Sequence, residues 1–543
     1  MHSFNLIDKP WIPCIMCDGS QQELGLEETL VNAHKIKEIF VPSAIVTVAL
    51  HRLLLAIICR NFPQEGLSDW ESLWDDGCFS QETIVNYFQK WHARFDLFHP
   101  EHPFCQQANF STKKATPIKR LGWEFASGNN ATLFDHSWDD DQTGVSPAIA
   151  ARWVLATQAF AASAGKSETI HSKDSPWTRG AIVLMQGDNL FETLALNLLN
   201  FHNEKFPSTP QDKLTWEDDQ DWQPEHNVQP KGILHYLSWQ SRLIHLVPGE
   251  EVKECSFAQG QALPDTWKQE PMYVYRKDDK LGLMVWQFQE EKAIWRDSHT
   301  LFNISSDAPY QIPFALRHIA ILSRQRVLEK RRLYQLQVIG QCLDSGQPTV
   351  KFWRQERLPV HIDYLNQKEL REALTKALDL AEKVAKELNR HLYNLAQLLL
   401  APASDQKTGR SPDKNDVKKL LDHFGSTTQY WSQLETPFKS LLVELPNDRQ
   451  ESQHEDISYG ANELVNWAKI LRKAALDSFS SITNSLDTSS RTLKAVAKVE
   501  IRCQGSISYV LKDYLNLAKS TVASTTINTI TNTITNTTDT LSD

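Results

Sequence analysis

Apolar positions divide the chain into two parts with different periodicity. Up to about residue 363, short apolar runs are interrupted by Trp, Pro and Gly, as in YVYRKDDKLGLMVWQF (273–288), where β-type segments flank Lys280-Leu281-Gly282. Two longer segments, 44–62 and 188–202, repeat apolar residues every three or four positions. We interpret both as buried core helices. This part is therefore predicted to be a mixed α/β domain with many loops.

From Asn366 onward, the apolar positions follow a sustained helical period. QKELREALTKALDLAEKVAKELNRHLYNLAQLLL (367–400) keeps an apolar stripe for about nine turns and ends before Pro402. Further amphipathic segments, separated by polar links, follow at roughly 414–444, 456–484 and 487–517. Four long helices with short polar connections predict an up-down bundle.

The predicted fold class is α+β, with an irregular mixed α/β domain followed by a four-helix bundle. The domains are predicted at 1–363 and 364–517. The remaining stretch, 518–543, is rich in Thr, Asn and Ser and has no core-forming pattern, so we expect it to be disordered.

Composition narrows the function classes. The chain has 543 residues, of which 41% are hydrophobic, enough for two or three packed domains. Its formal net charge of −10 argues against a uniformly basic surface, so any nucleic-acid site must be a local patch. No apolar run reaches the roughly 18 to 20 residues of a membrane span, and the N-terminus lacks signal-peptide features. We expect a cytoplasmic protein without a membrane partner.

Candidate metal and catalytic motifs are weak. The eight cysteines are scattered and predict reduced thiols, and the single CxxC, Cys14 with Cys17, has no second pair to complete a zinc site. In FHPEHPFC, prolines prevent the helical spacing that would direct His99 and His102 at one metal, so a packed turn is predicted. The aspartates of WDDDQTG (138–144) are expected in an exposed loop. With no nucleotide-binding or nucleophile motif, we predict no catalytic residue, metal or cofactor.

Local basicity in this acidic chain is the more specific signal. RHIAILSRQRVLEKRRLYQ (317–335) and KFWRQER (351–357) are basic and contain aromatic residues. They flank a predicted hairpin whose turn, Asp344-Ser345-Gly346, is followed by Gln347 and Pro348. A solvated helix face and a set of phosphate contacts both remain open for these clusters.

Several short blocks, in order, resemble one family. FNLIDKPWIP, ALHRLLLAI, FHPEHPFCQ, NLFETLALNLL, EPMYVYRK, IWRDSHTLF and QERLPV look like the CasA family, the large subunit of the type I-E CRISPR surveillance complex Cascade. The resemblance spans about residues 1 to 515 and implies a non-enzymatic subunit. It implies that the N-terminal domain recognises the protospacer-adjacent motif of duplex DNA, mainly through the minor groove, and starts strand separation. The implied partners are other Cascade subunits, the CRISPR guide RNA, double-stranded target DNA and a helicase-nuclease.

The resemblance also implies site residues. The family's glutamine wedge at a hairpin tip falls on Gln347. Its glycine-rich loop falls on AASAGK (161–166), which has one glycine, and its minor-groove lysine has no counterpart near FAQGQAL (257–263), between Lys253 and Lys268. The family's zinc-binding cysteine cluster is missing, because Cys255 stands alone. The candidate DNA-binding residues are Ala162, Ser163, Ala164, Gly165, Lys166, Lys268, Gln347, Lys351 and Arg354, and the candidate guide-RNA contact is Phe134.

Two alternatives remain open. One is a helical structural scaffold, which the paired basic clusters and the mixed α/β part make less attractive. The other is a metal-dependent nuclease using His99, His102 and the aspartate run, which the ligand spacing disfavours.

Overall fold

The structure is a computed structural model that divides into two compact units, Met1–Leu358 and Pro359–Asp543. The predicted boundary, at residue 363, is close to this division. The residues that the structure describes are 2–113, 115–122, 144–163, 173–198, 209–218, 224–304, 308–329, 332–344, 349–401, 412–451 and 457–516. The predicted disordered tail, 518–543, lies outside them.

In its described residues, the first unit is built from helices and four small sheets. Its helices are α1 Leu26–Val31, α2 Ala44–Asn61, α3 Leu67–Asp76, α4 Gln81–Trp91, α5 Pro147–Phe160, α6 Leu190–Leu196, α7 Ile233–Leu237, α8 His299–Phe302 and α9 Phe314–Arg324. The strands up to His361 are β1 Ile12–Met16, β2 Gln21–Leu24, β3 Ile36–Ile39, β4 Thr116–Pro117, β5 Ala181–Gln186, β6 Arg242–Leu246, β7 Glu254–Gln259, β8 Tyr275–Asp278, β9 Gly282–Val285, β10 Tyr310–Gln311, β11 Leu333–Leu343 and β12 Val350–His361. The sheet orders are β2-β1-β3, β4-β7-β6, β10-β8-β9 and β12-β11-β5. The prediction of a mixed α/β unit is confirmed.

Helix α2 lies in the core of this unit. Its residues are apolar on all sides, as expected for a helix that packs on every face, and it contacts α5, α7 and β11. By length and composition alone it could also cross a membrane, a weak test that buried core helices pass as well. Within the protein, 89% of the apolar window is buried. The predicted core helix at 44–62 is confirmed.

The two other sequence predictions in this unit differ in outcome. The β8–β9 hairpin forms where it is predicted, and Gly282, the first residue of β9 after the turn, takes the left-handed φ of +70°. Helix α6 is shorter than the predicted 188–202. It ends at Leu196 because the Asn197 amide bonds the backbone of Met185 in β5 and the carbonyl of Thr193, at 2.6 to 3.0 Å, which ties the chain to the sheet.

The second unit is mainly helical. Its elements are α10 Asp363–Asn366, α11 Lys368–Leu400, α12 Lys414–Phe424, α13 Ser426–Glu444, the paired strands β13 Arg449–Glu451 and β14 Ile457–Tyr459, α14 Ala461–Asn484 and α15 Ser490–Val510.

Helix α11 is the centre of this unit. Its apolar stripe is buried against α15, α14, α12 and α13. Side chains of neighbouring helices also bond its backbone, among them Trp467 at the Ala377 carbonyl (2.9 Å) and Tyr430 at the Ala381 carbonyl (3.0 Å). The helical region is confirmed, and its up-down four-helix topology stays a prediction.

The predicted 414–444 segment is two helices, because Gly425 adopts a φ of +57° between them.

A strained residue closes helix α9. Arg326 has a φ of +64°, and its N–H bonds the Ser323 carbonyl at 3.1 Å while the Val327 N–H bonds the Leu322 carbonyl at 3.0 Å. This is a Schellman motif with arginine at the position that favours glycine.

We predict that Arg326→Gly raises the free energy of unfolding by about 1 kcal/mol, since glycine removes the side-chain strain at this left-handed position. Arg324→Gly carries the same charge change at a helical position and is expected to be neutral or destabilising. Urea denaturation of both variants measures the effect. A loss of stability in Arg326→Gly would contradict it.

A buried histidine predicts a pH dependence. His318 in α9 packs edge-on against Trp70, with ring centroids 6.2 Å apart, and burial lowers its pKa from 6.5 to about 4. The folded protein therefore holds His318 neutral at a pH where the unfolded chain takes up a proton. Its contribution to stability is present above about pH 6.5 and is lost as the pH falls toward 4.

We predict that His318→Phe flattens the fall in unfolding free energy between pH 6.5 and 4, by at most about 3 kcal/mol, because phenylalanine cannot be protonated. Denaturant titrations at a series of pH values provide the comparison with the unmodified protein. His423→Gln, which removes an exposed imidazole, controls for the loss of one histidine. Parallel pH curves for His318→Phe and the unmodified protein would refute the prediction.

Candidate nucleic-acid interface

The chain leaves helix α5 and returns to strand β5 through two stems that lie side by side. The Ser175 N–H of the returning stem, 173–180, bonds the Ala161 carbonyl of the outgoing stem, 161–163, at 2.9 Å, and the Trp177 N–H bonds the Ala159 carbonyl in the last turn of α5 at 2.8 Å. The Asp174 carboxylate also accepts from the Ser163 N–H at 2.8 Å. Of the predicted loop residues, Ala162 and Ser163 thus belong to the outgoing stem. Ala164, Gly165 and Lys166 lie outside the described residues.

A buried guanidinium holds both stems. Arg242 of β6 is 2% exposed. It donates to the carbonyls of Ser241, Ala161, Ala162 and Lys173 at 2.7 to 3.1 Å. Burial lowers the pKa of Arg242 to about 10, and Asp174 opposes part of that shift. At neutral pH the group therefore stays charged, and backbone dipoles from both stems replace its water.

Further buried amides extend this network. The side-chain Oε1 of Gln158 accepts from the backbone N–H of Arg242 at 2.9 Å, and the Ser241 hydroxyl is 2.7 Å from that of Ser175. Gln259 accepts from the Lys173 N–H at 3.1 Å and donates to the Ser241 carbonyl at 3.2 Å. Gln259 lies in the segment that aligns with the region of the family's minor-groove lysine. It is 3% exposed, and its side chain bonds the returning stem.

A cleft opens beside the returning stem. Its volume is about 350 Å³. Apolar and aromatic side chains, among them Trp267 and Tyr273, form part of its wall, and three cations line it. Lys173 pairs with Asp265 at 2.8 Å. The other two are Arg179, which pairs with Asp174, and the candidate Lys268, which is half-buried.

The hairpin β11–β12 carries the other candidates. The Asp344 N–H bonds the Thr349 carbonyl at 2.8 Å and closes the hairpin below its tip. Lys351 is exposed, and its ammonium lies 3.3 Å from the Asp344 carboxylate. Gln347 lies outside the described residues, as does Phe134.

Arg354 has mainly internal contacts. Its guanidinium donates to the carbonyls of Gln289, Glu290 and Lys292 at 2.8 to 3.2 Å. It also lies over the Phe352 and Phe288 rings, 4.9 and 5.9 Å from their centroids. These contacts show that Arg354 fixes the 289–292 turn. A DNA phosphate at this position would have to share the guanidinium with the three backbone carbonyls.

The basic cluster around α9 is also partly internal. Arg332 binds the carboxylates of Asp188 and Glu192 at 2.5 and 2.6 Å, and Arg317 donates to the Ile312 carbonyl at 3.1 Å. Arg324 and Arg326 are exposed, whereas 330–331 lie outside the described residues.

The metal alternative gains no support from the described part of the chain. No group of three or more His, Cys, Asp or Glu there is arranged to hold a metal ion. His99 accepts the N–H groups of Glu101 and His102 at 3.2 and 3.1 Å, as the predicted turn requires. The eight cysteines form no disulfide in the structure. The aspartates of 138–144 lie outside the described residues.

Comparisons with known proteins identify the family to which the chain belongs. The family model described as CRISPR-associated protein Cse1 matches residues 5–478. The chain belongs to the Cse1 (CasA) family. A curated relative, the CRISPR-associated protein CasA/Cse1 of Thermus thermophilus, is 33% identical over 519 residues, which cover 92% of this chain and 96% of the relative. The family resemblance seen in the sequence is confirmed.

Solved structures share the fold of this Cse1 family member. The crystal structure of CasA from Thermus thermophilus has a TM-score of 0.75 at 28% identity and covers 94% of this chain and 100% of that one. Cse1 from Acidimicrobium ferrooxidans has a TM-score of 0.77 at 22% identity, covering 95% and 99% of the two chains. A chain of a CRISPR RNA-guided surveillance complex has a TM-score of 0.71 at 21% identity, covering 93% and 100%. At these last two identities the likeness concerns the fold alone.

The residue that organises the stems was missed by sequence reasoning. Arg242 begins the mostly apolar run RLIHLV (242–247). A single charge at the start of a buried strand is a weak signal, and its backbone partners, such as Ala161, are distant in sequence.

We predict that Arg242→Met lowers the free energy of unfolding by about 2 to 4 kcal/mol, because buried carbonyls of both stems lose their donor. Arg276→Met, which removes a largely exposed strand arginine, should change it by less than about 0.5 kcal/mol. Urea denaturation compares them. Equal effects of the two substitutions would show that the guanidinium does not hold the stems.

Proposed function

We propose that this protein is the large, non-catalytic subunit of a type I-E Cascade complex in the cytoplasm. In this role it recognises the protospacer-adjacent motif of duplex DNA through the minor groove, starts strand separation and helps to recruit the helicase-nuclease. The loop between the stems reads the motif, Gln347 enters the duplex as a wedge, and Phe134 contacts the guide RNA. The helices of the second unit form a four-helix bundle that helps to hold the opened DNA.

One geometric observation carries the motif-reading part of the proposal. The returning stem continues directly into β5, and β5 pairs with β11 in antiparallel register, with Ala181 opposite Gly340. The start of β5 and the tip-side end of β11 therefore lie at the same end of one sheet. A loop on the stems and a wedge on the hairpin can then reach neighbouring positions of one duplex.

The chemistry of the stems suits the minor groove. Ala162 and Ser163 are small, which permits close approach of backbone to a groove about 6 Å wide. The minor groove presents few distinguishing hydrogen-bonding groups, so a reader of this kind depends on groove width and tolerates some sequence variation. The net charge of −10 further implies weak association of the free subunit with DNA.

Copurification of the full chain with its proposed partners tests this function. A Cascade subunit should bring down a small guide RNA with partner proteins, whereas a structural scaffold should not. A nuclease should cut DNA alone when Mg²⁺ or Mn²⁺ is added. Binding of the reconstituted complex to DNA with randomised flanking motifs then measures the motif preference, and the absence of any preference would refute motif recognition.

We predict that Gln347→Ala slows R-loop formation on fully paired targets and leaves binding to a target mismatched at the first base pair nearly intact. Unstacking a base step costs a few kcal/mol, and a pre-opened target does not require it. Strand-opening kinetics at one fixed salt concentration measure both cases.

Gln335→Ala, on β11 and away from the tip, is the matched control. Normal behaviour of Gln347→Ala on both targets would exclude the wedge. A loss on both targets would instead indicate a folding defect or impaired motif reading.

A further inference from the structure

We infer that Gln341 is a positioning residue that couples the motif-reading loop to the strand-separating hairpin. This inference rests on the proposed function and adds a physical link between its two steps. It assigns to Gln341 no contact with DNA.

The link is a single buried amide. Gln341 lies in β11 and is 1% exposed. Its Nε2 group donates to the Phe160 carbonyl at 2.8 Å and to the Thr178 carbonyl at 3.1 Å. Phe160 is the last residue of α5, just before the outgoing stem, and Thr178 belongs to the returning stem. One side chain of the hairpin therefore bonds the backbone on both sides of the loop.

Closing the stems does not require this amide. A backbone bond from Ser175 already joins them, and Arg242 bonds carbonyls of both. What Gln341 adds, beside the backbone pairing of β5 with β11, is a side-chain bond from β11 to the backbone on each side of the loop. The adjacent backbones are close as well, since a Cβ at Gly340 would lie 2.5 Å from the Gly180 carbonyl oxygen.

The unpaired half of the amide supports a role beyond stability. The buried Oε1 of Gln341 has no hydrogen-bond partner among the described residues. An unpaired buried acceptor costs about 1 to 3 kcal/mol, a cost that an apolar side chain of similar shape would avoid.

The position of the link determines what it transmits. Only a short stretch of β11 separates Gln341 from Asp344, whose N–H closes the hairpin below its tip. If motif binding shifts the stems, the bonds of Gln341 would therefore move the hairpin with them. Motif recognition and opening of the first base pair should then be coupled energetically.

The test uses the full complex with guide RNA and the variant Gln341→Leu, which removes both donors. Gln337→Leu, at a buried glutamine on the same strand, is the matched control. Strand-opening rates are measured on targets with a correct or an incorrect motif, each either fully paired or mismatched at the first base pair. Melting temperatures confirm folding, and Gln341→Met replaces the leucine variant if that does not fold.

We expect Gln341→Leu to reduce the ratio of opening rates between correct and incorrect motifs by about three- to thirtyfold on paired targets. Opening of mismatched targets and the behaviour of Gln337→Leu should be unchanged. An unaltered ratio, or an equal loss on all targets, would overturn the coupling. If the unmodified complex shows no motif discrimination, the proposed function fails and the coupling with it.

Discussion

A charged group can remain in a protein interior only where other polar atoms replace its water, and Arg242 is the clearest case here. Carbonyls from two stretches of irregular chain supply that replacement. Moving either stretch away would leave the buried guanidinium without hydrogen-bond acceptors. Each stretch is therefore held in place although it forms no regular secondary structure. Arg52 is held similarly, between the rings of Trp177 and Tyr236, and it donates to the Leu237 carbonyl at 2.9 Å. The irregular first unit thus obtains order from buried polar groups as well as from apolar packing.

This arrangement explains how an irregular unit can present a defined interface. Regular elements, chiefly α5, β5 and β11, provide rigid ends, and the stems between them are fixed by Arg242 and Gln341. Residues 163 and 173, where the two stems end, are therefore held by hydrogen bonds to the folded unit.

Periodic patterns of apolar residues made much of the fold predictable from the sequence. Contacts between residues far apart in the chain could not be predicted in this way. Helices α2 and α11 follow from apolar residues repeated at helical spacing, which depends on neighbours in sequence. The bonds of Gln341 join residues more than 160 positions apart, and no local pattern encodes them. The division of 414–444 depends on one glycine with positive φ, and strands β13 and β14 are too short for a periodic signal. The proposed roles of Gln347 and Phe134 come from the family resemblance alone.

The distribution of cations bears on how such a protein could discriminate among DNA sequences. Arg242, Arg332 and Arg354 are directed mainly at carbonyls or carboxylates of the protein itself. Among the candidate DNA-binding residues that the structure describes, Lys351 is an exposed cation and Lys268 is a half-buried one. Under the proposed function, pairing between guide RNA and target would therefore supply most of the binding free energy. The subunit would contribute selectivity through the placement of its stems and hairpin, and placement depends on the buried network more than on surface charge.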